Sequence, residues 1–171
     1  MGHINVEIKA RCNKQEIIRE YLRKNKADFK GIDHQIDTYF NTSNGRLKLR
    51  EGEIENCLIH YERSDQKEPK QSKVTLYTLH SGSTLKEVLT KALGILVVVD
   101  KKREIYFIEN VKFHVDAVEG LGTFMEIEAI DEDGDIGKDK LNTQCQKYLK
   151  EMGIKDEDLI SVSYSDLLLE K

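Results

Sequence analysis

His3-Ile4-Asn5-Val6-Glu7-Ile8-Lys9-Ala10-Arg11 alternates polar and apolar side chains without a break. Successive side chains of a β-strand point to opposite faces. Asn5, Glu7, Lys9 and Arg11 therefore share one face, and Ile4, Val6, Ile8 and Ala10 the other. An acid and two bases side by side exceed what contact with solvent requires. Arg46-Leu47-Lys48-Leu49-Arg50 repeats the pattern with three bases on one face.

Outward from this strand, the chain reads as mostly β. Asn13-x-x-Glu16 has the spacing of a capping box, and Ile17, Ile18, Tyr21 and Leu22 follow at helical intervals, which predicts a helix over 14–25. A strand over 35–40 leads to Thr42-Ser43-Asn44-Gly45, whose Asn-Gly step is a strong hairpin signal, and the return strand is 46–50. A turn over 51–55, a strand over 57–63, a polar loop over 64–71 and a strand over 73–79 come next. Thr84-x-x-Glu87 and Gly94 bracket a helix over 84–93. Strands follow over 96–103, over 104–107 (running on or turning), over 111–117 and, past a turn at 119–122, over 123–130. An acidic turn at 131–135 precedes a helix over 138–152, and the tail over 156–169 is short and partly apolar. Neither a solenoid repeat nor a low-complexity linker interrupts this order. Many antiparallel strands with three inserted helices suggest an α+β protein or a closed barrel, organised as a single domain over 1–171.

Composition narrows the function. The chain has 171 residues, 39% hydrophobic and 34% charged, with a net charge of −4. It is long enough for a real core, and its charge is too evenly spread for disorder. The net charge gives no reason to expect a nucleic-acid or acidic-membrane partner. There is no apolar run of membrane-spanning length and no charged-then-apolar leader, so a soluble cytoplasmic protein is expected. Cys12, Cys57 and Cys145 are odd in number and lack C-x-x-C spacing, which argues for packed free thiols rather than disulfides or a zinc site.

The strand faces segregate charge. Glu7, Lys9, Arg11, Arg46, Lys48, Arg50, Arg63, Lys73, Lys101, Arg103, His114, Asp116, Glu126 and Glu128 are assigned to one side, nine bases against four acids in a chain that is acidic overall. An antiparallel sheet with one wet face would account for any single strand. Like charges at i, i+2 and i+4, however, repel on a surface that serves folding alone. A barrel interior holding water and a polyanion fits the whole set better, because arginine forks and lysine ammonium groups both suit phosphate oxygens. Glu126-x-Glu128, Asp116 and Glu7 form an all-oxygen set suited to Mg²⁺ or Mn²⁺.

These pieces together resemble the CYTH superfamily, the group of class IV adenylate cyclases and thiamine triphosphatases also called triphosphate tunnel metalloenzymes. The matching stretches are Asn5 to Arg11 against the family's E-x-E-x-K, Asp37-Thr38-Tyr39-Phe40, Gly45-Arg46-Leu47-Lys48-Leu49-Arg50-Glu51, Tyr61-Glu62-Arg63, Lys101-Lys102-Arg103 with Tyr106, His114-Val115-Asp116, Gly120-Leu121-Gly122 leading to Glu126-Ile127-Glu128, and Ser163-Tyr164-Ser165-Asp166-Leu167-Leu168. They occur in family order over nearly the whole chain. The resemblance implies an eight-stranded antiparallel β-barrel open as a tunnel, with helices outside. It implies Mg²⁺ or Mn²⁺ on Glu7, Glu126 and Glu128 with Asp116 close by. Triphosphate contacts are implied for Lys9, Arg11, Arg46, Lys48, Arg50, Arg63, Lys73, Lys101 and Arg103, with Lys9, Arg63 and Arg103 catalytic. One departure stands out: the first acid of E-x-E-x-K is Asn5, a neutral carbonyl donor.

The expected activity is metal-dependent chemistry on a triphosphate, most like a class IV adenylate cyclase making cyclic AMP and pyrophosphate from ATP. The alternatives are hydrolysis of thiamine triphosphate, tripolyphosphate or a nucleotide, and binding of polyphosphate or a nucleotide without turnover. Tyr164, His114 and a tunnel lysine are open as general base. A homodimer is compatible with the resemblance.

Overall fold

The computed structural model describes residues 2–63, 66–80 and 82–171, and of Arg63 the backbone alone. In chain order these are β1 (Gly2–Arg11), α1 (Gln15–Lys24), β2 (Asp28–Phe40), β3 (Arg46–Glu51), β4 (Asn56–Arg63), β5 (Lys70–Thr78), α2 (Leu85–Leu93), β6 (Ile95–Ile108), β7 (Val111–Val118), β8 (Gly122–Asp131), α3 (Lys138–Glu151), the two-residue β9 (Leu159–Ile160) and α4 (Tyr164–Leu169). Every pairing is antiparallel. The lateral order is β5-β4-β3-β2-β6-β7-β8-β1, and β1 pairs back onto β5 from Gly2↔Thr75 to Glu7↔Lys70. Eight strands thereby close into a barrel, which removes the unpaired edges an open sheet would expose. β9 pairs with Lys9 and Ala10, beyond the point where β5 leaves β1.

The barrel turns its apolar face outward. Val6, Ile8 and Ala10 of β1 join Phe113 and Val115 of β7 and Met125, Ile127 and Ala129 of β8 in a core roofed by Ile18 and Leu22 of α1 and Leu141, Cys145 and Leu149 of α3. Burying side chains of this size stabilises the fold by about 1.5–3 kcal/mol each, and it commits the polar faces of the same strands to the interior. A second cluster lies inside, where Tyr39, Cys57, Ile59, Tyr61, Val74, Val99, Val118 and Phe124 meet Tyr164 of α4. Asn44-Gly45 makes the expected hairpin. Gly45 has φ 63°, and a Cβ there would stand 2.7 Å from the Tyr61 carbonyl oxygen.

Several boundaries shift. β2 begins seven residues before the expected strand, and β6 runs through 95–108 as one strand rather than two. Part of the loop expected over 64–71 belongs to β5, and part lies outside the described residues. Neither expected capping box forms. The N-cap of α1 is Lys14, one residue past Asn13, and Thr84 sits at φ −88°, ψ 10°, away from the extended backbone a capping side chain needs. The tail holds an unexpected element, α4, whose capping box of Ser163 and Asp166 is complete. No helix among the described residues is long and apolar enough to cross a membrane.

Candidate functional site

The barrel encloses a cavity of about 340 Å³. Strand register sets its rows. Glu7 pairs with Glu128, and Glu128 with Lys112; Lys9 pairs with Glu126, and Glu126 with His114; Arg103 pairs with Asp116. On the other side Arg50 pairs with Asp37 and Lys48 with Tyr39.

One pole of the cavity is cationic. Asp37 is fully buried and takes the Arg50 guanidinium by two bonds, Nε to Oδ1 at 2.9 Å and Nη2 to Oδ2 at 2.8 Å. Lys101 Nζ stands 2.7 Å from Oδ2 and Lys48 Nζ 3.4 Å. Burial alone would raise the Asp37 carboxyl, but Arg50, Lys101 and Lys48 outweigh it and hold the group well below the usual carboxylate range. Arg50, Lys101 and Lys48 outnumber the two carboxylates they meet, Asp37 and, through Arg50, Glu55. Burial, against the pull of Asp37 and with the push of Arg50, Arg103 and Lys48, brings the Lys101 amine well below its usual range.

The other pole is acidic. Glu7, Glu126 and Glu128 line it, and burial raises the Glu128 carboxyl to about 7, with Lys112 opposing and Glu7, Glu126 and Glu55 adding to the rise. Asn5 donates from Nδ2 to Glu128 Oε1, and its own buried Oδ1 has no hydrogen-bond partner among the described residues. Crowded carboxylates beside this amide oxygen make a hard oxygen donor set for a divalent cation. His114, Asp116 and Glu126 bring one ligand atom each within 4.8 Å of one another, a buried cluster able to coordinate a divalent metal. Asp116 is also engaged by Arg103, through Nε and Nη2 at 2.8 Å each, and by the Tyr164 hydroxyl at 2.7 Å. Arg103 Nη2 reaches Glu126 Oε1 at 2.9 Å as well. Burial and then Arg103 push His114 down to about 4; among the described residues neither ring nitrogen has a hydrogen bond, and Nδ1 stands 3.9 Å from Glu126 Oε2. Burial and then Asp116 and Glu126 push the Tyr164 phenol well above 10.

Of the residues assigned from sequence, the cavity brings together Glu7, Lys9, Lys48, Arg50, Lys101, Arg103, His114, Glu126 and Glu128. Lys9 Nζ lies 3.8 Å from Glu126 Oε1 and 3.8 Å from the Tyr164 ring centre. Asp116 sits behind Arg103 and positions it. Three residues are placed elsewhere. Lys73 is exposed, at a register position between Ile4 and Glu62, so its side chain is on the outer face of the barrel. Arg11 is exposed against the Phe124 ring. Arg46 Nη1 and Nη2 bind the Asp166 carboxylate of α4 at 2.7 and 3.0 Å and so fasten that helix to β3. The side chain of Arg63 lies outside the described residues.

Sequence reasoning passed over Asp37, Lys112 and Glu55. The first two carried a signal: Asp33, Gln35 and Asp37 alternate along β2, and Lys112, His114 and Asp116 along β7. Glu55 carried none, because it belongs to the β3–β4 turn. Asp33 folds that turn over the barrel by accepting from the backbone N–H groups of Glu53, Ile54 and Glu55 at 2.8–3.0 Å. Glu55 then bonds Arg50 Nη1 at 3.0 Å and pairs with Lys112.

The CYTH domain profile matches residues 3–164. A curated protein of Methanocaldococcus jannaschii named "Putative adenylate cyclase" is 30% identical over 179 residues, covering 96% of this chain and 98% of that protein. Among solved structures, the PH1012 protein of Pyrococcus horikoshii OT3 superposes with a TM-score of 0.81 at 25% identity, over 95% of this chain and 98% of its own. A conserved hypothetical protein of Pyrococcus furiosus gives a TM-score of 0.78 at 26% identity, over 95% and 99%. With the closed polar tunnel already established, a profile match over nearly the whole chain settles its kinship: the chain belongs to the CYTH family, within the triphosphate tunnel metalloenzymes.

Proposed function

We propose that the protein carries out metal-dependent chemistry on a triphosphate in this tunnel, in the manner of a class IV adenylate cyclase converting ATP to cyclic AMP and pyrophosphate. The observation that supports it is the segregation of charge across one cavity. Lys48, Arg50 and Lys101 surround the single Asp37, and Glu7, Glu126 and Glu128 stand together. A triphosphate neutralises the first group, and a divalent metal neutralises the second. Bound there, Mg²⁺ or Mn²⁺ would supply Lewis-acid stabilisation of phosphate charge. Glu7, Glu126 and Glu128 would hold it, with Asp116 and His114 at the edge of the set.

The chain's own groups orient the substrate. Lys48, Arg50 and Lys101 face the phosphate oxygens, and Lys9 completes the set. Arg103 is fixed by Asp116 and Glu126 before any ligand enters, so it stabilises developing charge without a reorganisation cost. In the cyclase reaction the ribose 3′-oxygen attacks the α-phosphorus, and pyrophosphate leaves into the cationic pole. The name of the Methanocaldococcus relative supports this direction. Tyr164 is unsuited as general base, because its hydroxyl donates to Asp116 and its phenol is held well above 10.

The test is turnover with ATP, thiamine triphosphate and tripolyphosphate, with and without Mg²⁺ or Mn²⁺. Cyclic AMP and pyrophosphate should form from ATP only with metal. Tripolyphosphate hydrolysis without cyclic AMP would overturn the cyclase assignment in favour of a triphosphatase. Tight binding with no product from any of the three would leave a non-catalytic binding module.

A further inference from the structure

Among the described residues, six of the eight barrel strands, β1, β2, β3, β6, β7 and β8, give the cavity charged side chains, but the stretch of wall made by β4 and β5 does not. From Cys57 to Tyr61 on β4 and from Ser72 to Thr78 on β5, the side chains lining it are Cys57, Ile59, Tyr61, Ser72, Val74, Leu76 and Thr78. Register places Ile59 beside Leu76 and Tyr61 beside Val74, so the apolar groups form one continuous patch across two strands. At the rim the patch is open: Leu76 is 39% exposed, and Ile54 of the β3–β4 turn, lining the same cavity, is 45% exposed. Asn56 and Thr78 are the uncharged polar groups beside them. Lys48 marks the border between the two walls, with its ammonium 5.4 Å from the Tyr39 ring centre and 5.3 Å from that of Tyr61.

An inorganic polyanion gains nothing from such a wall, because phosphate oxygens lose water against it without a hydrogen bond in return. Exposed aliphatic side chains facing a cavity do, however, suit a flat apolar group. Building on the triphosphate reading above, we propose that the Ile54–Ile59–Leu76 surface recognises the organic part of the substrate, so that the tunnel selects an organic triphosphate over inorganic tripolyphosphate. The phosphates point inward to Lys48, Arg50 and Lys101, and a heterocycle rests at the rim with Asn56 and Thr78 at its edge.

Charge makes the selection measurable. Tripolyphosphate carries no organic substituent and one more ionisable oxygen than a nucleoside triphosphate, so a purely ionic tunnel binds it more tightly. Dissociation constants for ATP, thiamine triphosphate and tripolyphosphate are measured by calorimetry in EDTA, where turnover is suppressed, on the native protein and on Leu76→Ala and Ile59→Val. The native protein should bind one organic triphosphate at least tenfold more tightly than tripolyphosphate. Leu76→Ala should weaken that ligand by roughly tenfold, and Ile59→Val by less, the range expected for lost aliphatic contact in a substrate pocket. Both variants should leave tripolyphosphate within twofold. Tripolyphosphate binding as tightly as both organic ligands, or equal weakening of all three in both variants, would overturn the inference while leaving the triphosphate site intact. Failure of all three to bind the native protein would overturn the site and the inference together.

Discussion

Replacing Glu128 by glutamine should stabilise the metal-free protein at alkaline pH and leave it unchanged in acid. The Glu128 carboxyl is raised from the ordinary 4.5 to about 7 by burial, with Glu7, Glu126 and Glu55 adding to the effect. Because the folded value lies above the unfolded one, the protonated carboxyl is the form the fold favours. Its contribution is complete below pH 4.5 and is lost as pH rises through 7. At about 1.4 kcal/mol per pH unit, a rise from 4.5 to about 7 makes the ionised carboxylate cost the fold about 3 kcal/mol at pH 8 to 9. Glutamine keeps the shape and an oxygen to accept from Asn5 Nδ2, but it cannot ionise. Urea denaturation in EDTA at pH 5, 7 and 8.5 should show the variant near the native protein at pH 5 and about 3 kcal/mol more stable at pH 8.5. Saturating Mg²⁺ should reverse the order at pH 8.5, because the native carboxylate then has a cation to face. A difference that stays constant with pH would refute the idea that crowded carboxylates set this pole, and full metal-dependent turnover by the variant would remove Glu128 from the metal site.

Asp37→Asn removes the carboxylate that Arg50, Lys101 and Lys48 share and leaves, among the described residues, only Glu55 against Arg50, and thermal denaturation should show a loss of about 3–5 kcal/mol; added tripolyphosphate should recover more stability in this variant than in the native protein. Lys73→Ala should leave kcat/KM within twofold of native, because the side chain is on the outer face of the barrel, and a drop of tenfold or more would contradict that placement. Gly52→Ala puts a Cβ 2.6 Å from Asp33 Oδ2 and 2.8 Å from the Glu55 carbonyl oxygen, so it should loosen the β3–β4 turn and lower stability by about 1–3 kcal/mol, read from the shift of the denaturation midpoint.

Alternation in β1, β3 and β8 was legible because both faces of those strands are uniform. In β1 and β8 the apolar face packs under α1 and α3, and in β3 Leu47 and Leu49 alternate with three bases, so the division into two faces follows from sequence parity alone. β5 reverses the pattern. In Gln71-Ser72-Lys73-Val74-Thr75-Leu76 one parity is wholly polar and the other mostly apolar, and only pairing with β1 and β4 decides that Ser72, Val74 and Leu76 face inward and Lys73 outward. Arg46 is the opposite case: its position on β3 was read correctly, yet its guanidinium is claimed by Asp166, a residue 120 positions away. The β3–β4 turn was visible as a turn, but its role as the cavity rim depends on Asp33 drawing three N–H groups over the barrel mouth.

By itself the sequence determined that the strands carry one apolar and one ionic face, that bases outnumber acids on the ionic side, and that Glu7, Glu126 and Glu128 share it. These follow from the two-residue period of a strand, which is a local property of the chain. Only the tertiary structure decided how the charges divide. Closure of β1 onto β5 and the register of each ladder gather three cations about Asp37, crowd the carboxylates around Glu128 and leave an apolar wall along β4 and β5. Those groupings depend on distances between strands far apart in sequence, and Coulombic and solvation energies depend on distance and burial rather than on order along the chain.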